Sequence, residues 1–346
     1  MSIGFNLPAA VALARLSRRR GIPVIAHHHD FYWEGFRGMR PTCDVVKRLA
    51  QEFLPPKDSL VSHVVINSLA KAELLTTSGL RSTIIPNVFD FCDEPWHVDS
   101  YNYNFRESIG VGKDDVLVLQ ATRIVERKAI ELAIALVKEL NKPSNIVYLR
   151  EAGLYDGRAF GKQSHIVLVL AGSLKDRKSE YLDRLKILIR QTGIQARFIG
   201  DQVSFQRQEE GGKHIYSLWD CYVFADLVTY PSLFEGWGNQ FLEAIRARLP
   251  VALFEYPVFR ADIKGRGFDV ISLGGNARYL AGSNLAYVEQ SIISKAARKA
   301  VETLTNSSMR KEIVDHNFAL GKKHYSLESL GEYSDQILSQ IQRKKT

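Results

Sequence analysis

No stretch of the chain approaches the ~18 consecutive apolar residues of a membrane span. The opening Met1-Ser2-Ile3-Gly4-Phe5 has no basic region ahead of an apolar core, so a signal peptide is not expected. Cysteine is scarce. Cys43, Cys92 and Cys221 stand too far apart for a disulfide framework or a zinc site. A reducing cytoplasm is therefore the expected setting. There is no internal repeat and no low-complexity tract. No basic stripe interleaved with aromatics appears either, which argues against nucleic acid as a partner.

What is present fits a two-domain globular protein: 346 residues, 45% apolar and 24% charged, where one domain takes roughly 100–200 residues. The formal charge is +8, with basic clusters at Arg18-Arg19-Arg20 and Arg343-Lys344-Lys345. These read as solvated helix ends. The alternatives are attraction to anionic substrates or to an anionic membrane surface.

Strand-like apolar runs alternate with helical spacing along most of the chain. Helices are expected at 7–20, 44–53 and 68–77, and strands at 23–27, 62–66 and 82–85. Residues 90–104, rich in Asp, Asn, Pro and aromatics, read as a connector. A second alternation follows. Its strands are 115–121, 166–171, 196–199, 227–230 and 250–254, and its helices 129–140, 181–189, 216–225 and 240–248. The last stretch, 326–341, reads as an amphipathic helix capped by Ser326, with Leu327, Leu330, Ile337, Leu338 and Ile341 as its apolar positions. The alternation argues for α/β architecture with a parallel, doubly wound sheet. Ligands in such sheets sit beyond the carboxyl ends of the strands, so chemistry is sought in the loops after them.

Three of these loops carry suitable residues. The first is Tyr230-Pro-Ser-Leu-Phe-Glu-Gly-Trp-Gly-Asn-Gln-Phe-Leu-Glu243. A helix beginning near Gly238 or Asn239 presents N–H groups and a positive dipole end to an anion. Gly236 and Gly238 let backbone approach a phosphate closely. Glu235 in the loop and Glu243 in the helix could flank such a site and bind sugar hydroxyls. On the residues alone, an ordinary loop and a solvent-facing glutamate remain the competing reading. The second loop is Thr122-Arg123-Ile-Val-Glu-Arg-Lys128, where Arg123 and Lys128 could both reach a diphosphate, or simply be solvated. The third is His27-His28-His29-Asp30-Phe31-Tyr32-Trp33-Glu34 and on to Gly35. Adjacent side chains of an extended segment point to opposite faces, which disfavours a metal site. A His–Asp pair at a strand end is better suited to catalytic or substrate-orienting work.

In this order the motifs resemble those of the family-4 retaining glycosyltransferases of the GT-B fold. The family's paired glutamates match Glu235 and Glu243, its Arg-x-x-x-x-Lys loop matches Arg123 and Lys128, and its His-Asp loop matches His29-Asp30. Ile85-Pro86-Asn87, Gly172-Ser173 and Phe198-Ile199-Gly200 are similar to further family segments. The resemblance implies two Rossmann-like domains facing a cleft. It places an acceptor-side domain at 1–100, a donor-binding domain at 101–325, and a helix at 326–346 crossing back to the first. It implies that Arg123 and Lys128 bind the donor diphosphate and stabilise the leaving group. Glu235 would hold the hexose hydroxyls, the backbone of Gly236, Gly238 and Asn239 would cradle phosphate, and Glu243 would bind the ribose. Val203 would contact the base, and His29 would lie near the donor sugar on the opposite wall. The implied chemistry is front-face transfer with retention. It takes no cofactor and no metal, and the chain has no Asp-x-Asp motif.

The implied donor is a nucleoside-diphosphate sugar of the GDP-mannose or UDP-glucose type. The acceptor is a small molecule, a glycan or a lipid. The run His28-His29-Asp30-Phe31-Tyr32-Trp33-Glu34 is similar to that of members making small glycosides such as mannosylglucosylglycerate. Family members open with a strand, a Gly-rich loop and a helix that have no counterpart before residue 23, so a first domain lacking its N-terminal strands is expected. A non-catalytic nucleotide-sugar-binding remnant stands as an alternative function. Another is a membrane-surface enzyme with a lipid acceptor, peripheral to the inner face. Oligomerisation is left open.

Overall fold

The computed structural model describes residues 2–34, 40–91, 94–172 and 180–343. Gly35, Cys92, Ser173 and the Lys344-Lys345 pair lie outside these. The chain opens with α1 (Leu7–Arg20), β1 (Val24–His28), α2 (Asp44–Phe53), β2 (Val61–Val65), α3 (Ser68–Ser78) and β3 (Ser82–Ile84). There follow α4 (Phe105–Ser108), β4 (Val116–Gln120), α5 (Ile130–Leu140), α6 (Pro143–Ala152), β5 (Ile166–Leu170), α7 (Glu180–Thr192) and β6 (Gln195–Phe198). Short strands β7 (Val203–Ser204), β8 (Gln208–Glu210) and β9 (Lys213–Ser217) precede α8 (Leu218–Val223), β10 (Leu227–Tyr230), α9 (Asn239–Arg246) and β11 (Val251–Leu253). The remainder is β12 (Ile271–Ser272), β13 (Arg278–Tyr279), β14 (Ala286–Tyr287), α10 (Gln290–Thr305), α11 (Ser307–Tyr325) and α12 (Leu327–Arg343).

Two compact units result. Unit 1 is Met1–Val88 with Ala261–Ile263 and Tyr325–Thr346, and unit 2 is Phe89–Arg260 with Lys264–His324. Ala261–Ile263 joins unit 1 because the Asp262 carboxylate accepts hydrogen bonds from the Ser68 N–H and hydroxyl at 2.9 and 3.0 Å, at the start of α3.

Unit 1 is built on a parallel sheet in the order β1-β2-β3. Helix α1 is capped by Asn6, whose side chain accepts from the Ala9 N–H at 3.0 Å, and it stops at Gly21 in the left-handed region. Helix α12 begins on the Ser326 hydroxyl, which accepts from the Ser329 N–H at 3.3 Å. Its Ile337 packs with Val64 and Ile85, while Leu327 and Leu338, read above as apolar-face positions, are exposed.

Strand alternation turns His28 inward and His27 and His29 outward. His28 Nε2 lies 3.0 Å from His63 Nδ1, both rings buried. Burial, reinforced by the neighbouring ring's charge, lowers His28 to about 3, and burial lowers His63 to about 4. The unfolded rings titrate near 6.5. Folding therefore carries its full stability above that pH and loses it as pH falls toward the folded values. At pH 5 the two rings together cost up to about 4 kcal/mol, a large share of a typical domain's stability. We expect urea unfolding of unit 1 to hold steady from pH 8 to 7 and to weaken steeply below 6. A urea midpoint unchanged at pH 4.5 would contradict a neutral buried pair.

Unit 2 holds a parallel six-stranded sheet in the order β12-β11-β10-β4-β5-β6. Every residue of β4 and β5 is buried, which is why β5 reads as an unbroken apolar run, and β4 as one up to Gln120, rather than as alternating strands. The chain proceeds outward from β4 through β5 to β6, then returns to β10 on the other side of β4 and continues to β11 and β12. The switch point of the sheet therefore lies between β4 and β10.

One sequence expectation fails here. Residues 216–225 are not a single helix. Tyr216 and Ser217 end strand β9, with Tyr216 opposite Val203 of β7. Ser217 and Asp220 then form a reciprocal capping box that starts α8. Asp220 is buried and also receives Asn102 Nδ2 at 2.8 Å and the Arg207 guanidinium, which ties the β8–β9 hairpin in place. Among its described residues, the segment expected as a connector forms no helix or strand up to Asn104. It is fastened within unit 2 by the Trp96–Trp219 stack at 4.7 Å, and by Arg246, which lies over Trp96 and donates to the Asp90 and Glu94 carbonyls.

Candidate active site

The loops after β4 and β10 meet beyond the carboxyl ends of the strands at the switch point, where such sheets bind ligands. Three details bring them together. After β5, Gly172 lies against the backbone of Thr122, leaving no room for a Cβ. A one-turn 3₁₀ segment, Glu126–Lys128, then precedes Ala129, which adopts φ +42°. Left-handed backbone is strained for alanine, and here it opens α5 abruptly enough to turn Arg127 and Lys128 toward the β10 loop. Finally, the Leu233 N–H donates to the Arg127 carbonyl at 2.9 Å.

Glu235 is the centre of the cluster. Its Oε1 pairs with Lys128 Nζ and its Oε2 with Arg127 Nη1 at 2.9 Å. Arg127 Nη1 also donates to the Phe234 carbonyl at 3.0 Å. Lys128 Nζ is 3.5 Å from Gln240 Oε1 and 5.3 Å from the Tyr230 ring centroid, and the Gln240 amide donates to the Ala121 carbonyl. Burial pushes the Glu235 pKa up, but the charges of Lys128 and Arg127 outweigh it and hold the carboxylate below its usual range. Burial pulls the Lys128 ammonium below its ordinary value despite Glu235, with Arg127 and Arg123 adding to the effect.

The β10–α9 loop is rigid behind this cluster. Gly238 has φ +123°, and a Cβ on it would sit 2.1 Å from the Tyr256 hydroxyl, which donates to the Trp237 carbonyl at 2.8 Å. No other residue type fits both the conformation and the space. Helix α9 begins at Asn239, immediately after Gly238. Within it, the Glu243 carboxylate accepts from the Tyr222 hydroxyl at 2.8 Å. Burial raises the Glu243 pKa, while Tyr222 and the Lys128 charge lower it, so the Lys128 ammonium acts on both carboxylates.

Of the residues singled out in the sequence, Lys128, Glu235 and Glu243 share one electrostatic environment, with Gly236, Gly238 and Asn239 in the connecting loop and helix start. Arg123 is exposed, and its charge reaches Lys128 without direct contact with Glu235. Val203 is half-buried in β7. His29 belongs to unit 1, where its ring lies 4.8 Å from that of His27, and partial desolvation lowers its pKa against the raising effect of Asp30. Among the described residues no group of three or more His, Cys, Asp or Glu side chains converges as a metal site would require. Sequence reasoning missed Arg127, Gln240, Tyr222 and Tyr256. Only Arg127 left a sign, as a second cation beside Lys128. Among the described residues no helix is long and apolar enough to cross a membrane.

Residues 103–265 match the family model described as glycosyl transferases group 1. The chain is 41% identical over 329 residues to the mannosylglucosylglycerate synthase of Petrotoga mobilis, covering 94% of this chain and 74% of that protein. It is 36% identical to the enzyme of the same name from Thermotoga maritima, covering 95% and 72%. Anabaena HepE, solved in complex with UDP and glucose, shares the fold with a TM-score of 0.57 at 15% identity, covering 96% of this chain and 76% of that one. The fold is that of a glycosyltransferase of the GT-B type. The chain belongs to the group 1 glycosyl transferases.

Proposed function

We propose that the chain transfers a hexosyl group, with retention of configuration and without a metal, from a nucleoside-diphosphate sugar to the hydroxyl of a small polar acceptor. The observation that carries this reading is the clamp of Lys128 and Arg127 on Glu235 at the switch point between β4 and β10. Cations for a diphosphate and a carboxylate for sugar hydroxyls stand side by side there. Arg123 and Lys128 neutralise the diphosphate as it departs, an electrostatic contribution that grows toward the transition state. The backbone at Gly236, Gly238 and Asn239 receives phosphate oxygens at the start of α9. Glu235 takes the hexose hydroxyls, Glu243 the ribose hydroxyls and Val203 the base.

In the step itself the bond from the anomeric carbon to the phosphate oxygen breaks, and the acceptor oxygen attacks the same face. The acceptor proton passes to the departing phosphate. The name shared by the two bacterial relatives points to mannosylglucosylglycerate as the product. A GDP-mannose-type donor with glucosylglycerate is therefore the first pair to assay, and a UDP-glucose-type donor the second.

The test is acceptor-dependent release of nucleoside diphosphate by the full chain, by Glu235→Ala and by Arg123→Ala, with the product's anomeric configuration read by NMR. Both variants are expected to lose at least about 100-fold in kcat/KM. Equal rates in all three proteins would reject the site, and an inverted product would reject retention.

A further inference from the structure

Arg127 and Lys128 hold Glu235 in different ways. Arg127 is fixed. Its carbonyl accepts from Leu233, and its guanidinium bridges the Phe234 carbonyl and Glu235 Oε2. Lys128 has a flexible stem and a compact charge, with Gln240 Oε1 at 3.5 Å and the Tyr230 ring as neighbouring partners. All three side chains of the clamp are largely buried: Lys128 is 7% exposed, Glu235 10% and Arg127 14%. A carboxylate this deep must keep a cation, because breaking a buried pair is far more costly than breaking a surface one.

Resting on the proposed diphosphate site, we propose that Arg127 is a positioning residue that remains on Glu235 while Lys128 transfers its charge to the donor diphosphate. The two cations divide the work. Lys128 can turn to the phosphates because Arg127 keeps Glu235 paired and aimed. Without Arg127, Lys128 is the sole counter-charge of a buried carboxylate, and diphosphate must compete with Glu235 for it. Sequence position alone does not assign this role, since Arg127 and Lys128 are adjacent cations in one loop. The separate carboxylate oxygens they occupy distinguish them.

The discriminating measurement is calorimetric binding of UDP and GDP to the full chain and its variants. Arg127→Gln is expected to weaken binding at least about tenfold. Adding Glu235→Gln removes the competing charge and is expected to restore affinity to within about threefold of wild type. Glu235→Gln alone is expected to bind at least as tightly as wild type, and Arg127→Lys to lie within about fivefold of it. A residue that merely braced the two loops would not be rescued by neutralising Glu235. Unchanged affinity in Arg127→Gln overturns the proposal, as does a double variant no better than the single. Should Arg127→Gln fail to fold, weakened nucleotide binding by Glu235→Gln alone overturns it. If wild type binds neither nucleotide, the site reading fails and the proposal falls with it. If wild type binds and the variants do not follow the pattern, only the role of Arg127 is lost.

Discussion

Lys128→Ala is expected to lower kcat/KM for the nucleotide sugar by about a thousandfold while leaving the protein folded. Removing one preorganised donor from a developing charge costs about 10²–10³ in rate. Lys128 also sets the electrostatics of both Glu235 and Glu243, so the loss falls at the upper end. The fold tolerates the change because Arg127 still occupies Glu235 Oε2 at 2.9 Å. Lys128→Arg is expected to be a poor substitute, since a second planar fork beside Arg127 would crowd Tyr230 and Gln240. Nucleoside diphosphate release under donor-limiting conditions, with a thermal melt as the folding control, checks both variants. A kcat/KM within tenfold of wild type for Lys128→Ala would remove Lys128 from the catalytic machinery.

Gly172→Ala is expected to be the most damaging single-methyl change in unit 2. A Cβ at this position would lie 1.7 Å from the Thr122 carbonyl oxygen, 2.5 Å from its carbon and 3.0 Å from the Arg123 Cα. The obstacle is backbone, which cannot swing aside as a long side chain can. The loop after β4 must shift outward, at a cost of about 3 kcal/mol or more for overpacking. That loop carries Arg123, Arg127 and Lys128, and a displacement of about 1 Å at a catalytic group can cost about 100-fold in rate. The variant should therefore lose stability and nucleotide affinity together. Gly265→Ala is the control, because a Cβ there meets nothing within 4 Å. Urea denaturation and nucleotide binding on both variants decide the matter. A Gly172→Ala protein as stable as Gly265→Ala would mean that the loops after β4 and β5 are not pressed together as described.

The parts of this molecule that were legible in its sequence are those dictated by local patterning. Strand β5 is an unbroken apolar run, and β4 one up to Gln120, because both faces are covered, and Glu235 and Lys128 stand in the segments after strands, where such sheets place ligands. Arg127 was not legible as a Glu235 partner. Its direction depends on a 3₁₀ turn followed by an alanine in left-handed backbone, and no propensity favours that alanine. The β8–β9 hairpin was missed for a different reason. Gln208–Glu210 is fully exposed and polar on both faces, so it has no alternation to read. Its order comes from Arg207, which joins Asp220 to Asp99 across a long separation in sequence. Glu243 was singled out, but its partner Tyr222 was not, since nothing local in the sequence brings α8 and α9 together.

The Val64–Ile85–Ile337 cluster bears on how the chain is made. A ribosome delivers the first two of these residues before unit 2 and the third after it. Everything that unit 2 needs emerges in between. Nascent unit 2 can reach its final form while the β1-β2-β3 sheet still waits for the α12 side chains that cover it. Unit 2 is thus the vectorially favoured one. Emergence of α12, rather than strand pairing, is the event that allows unit 1 to close its core.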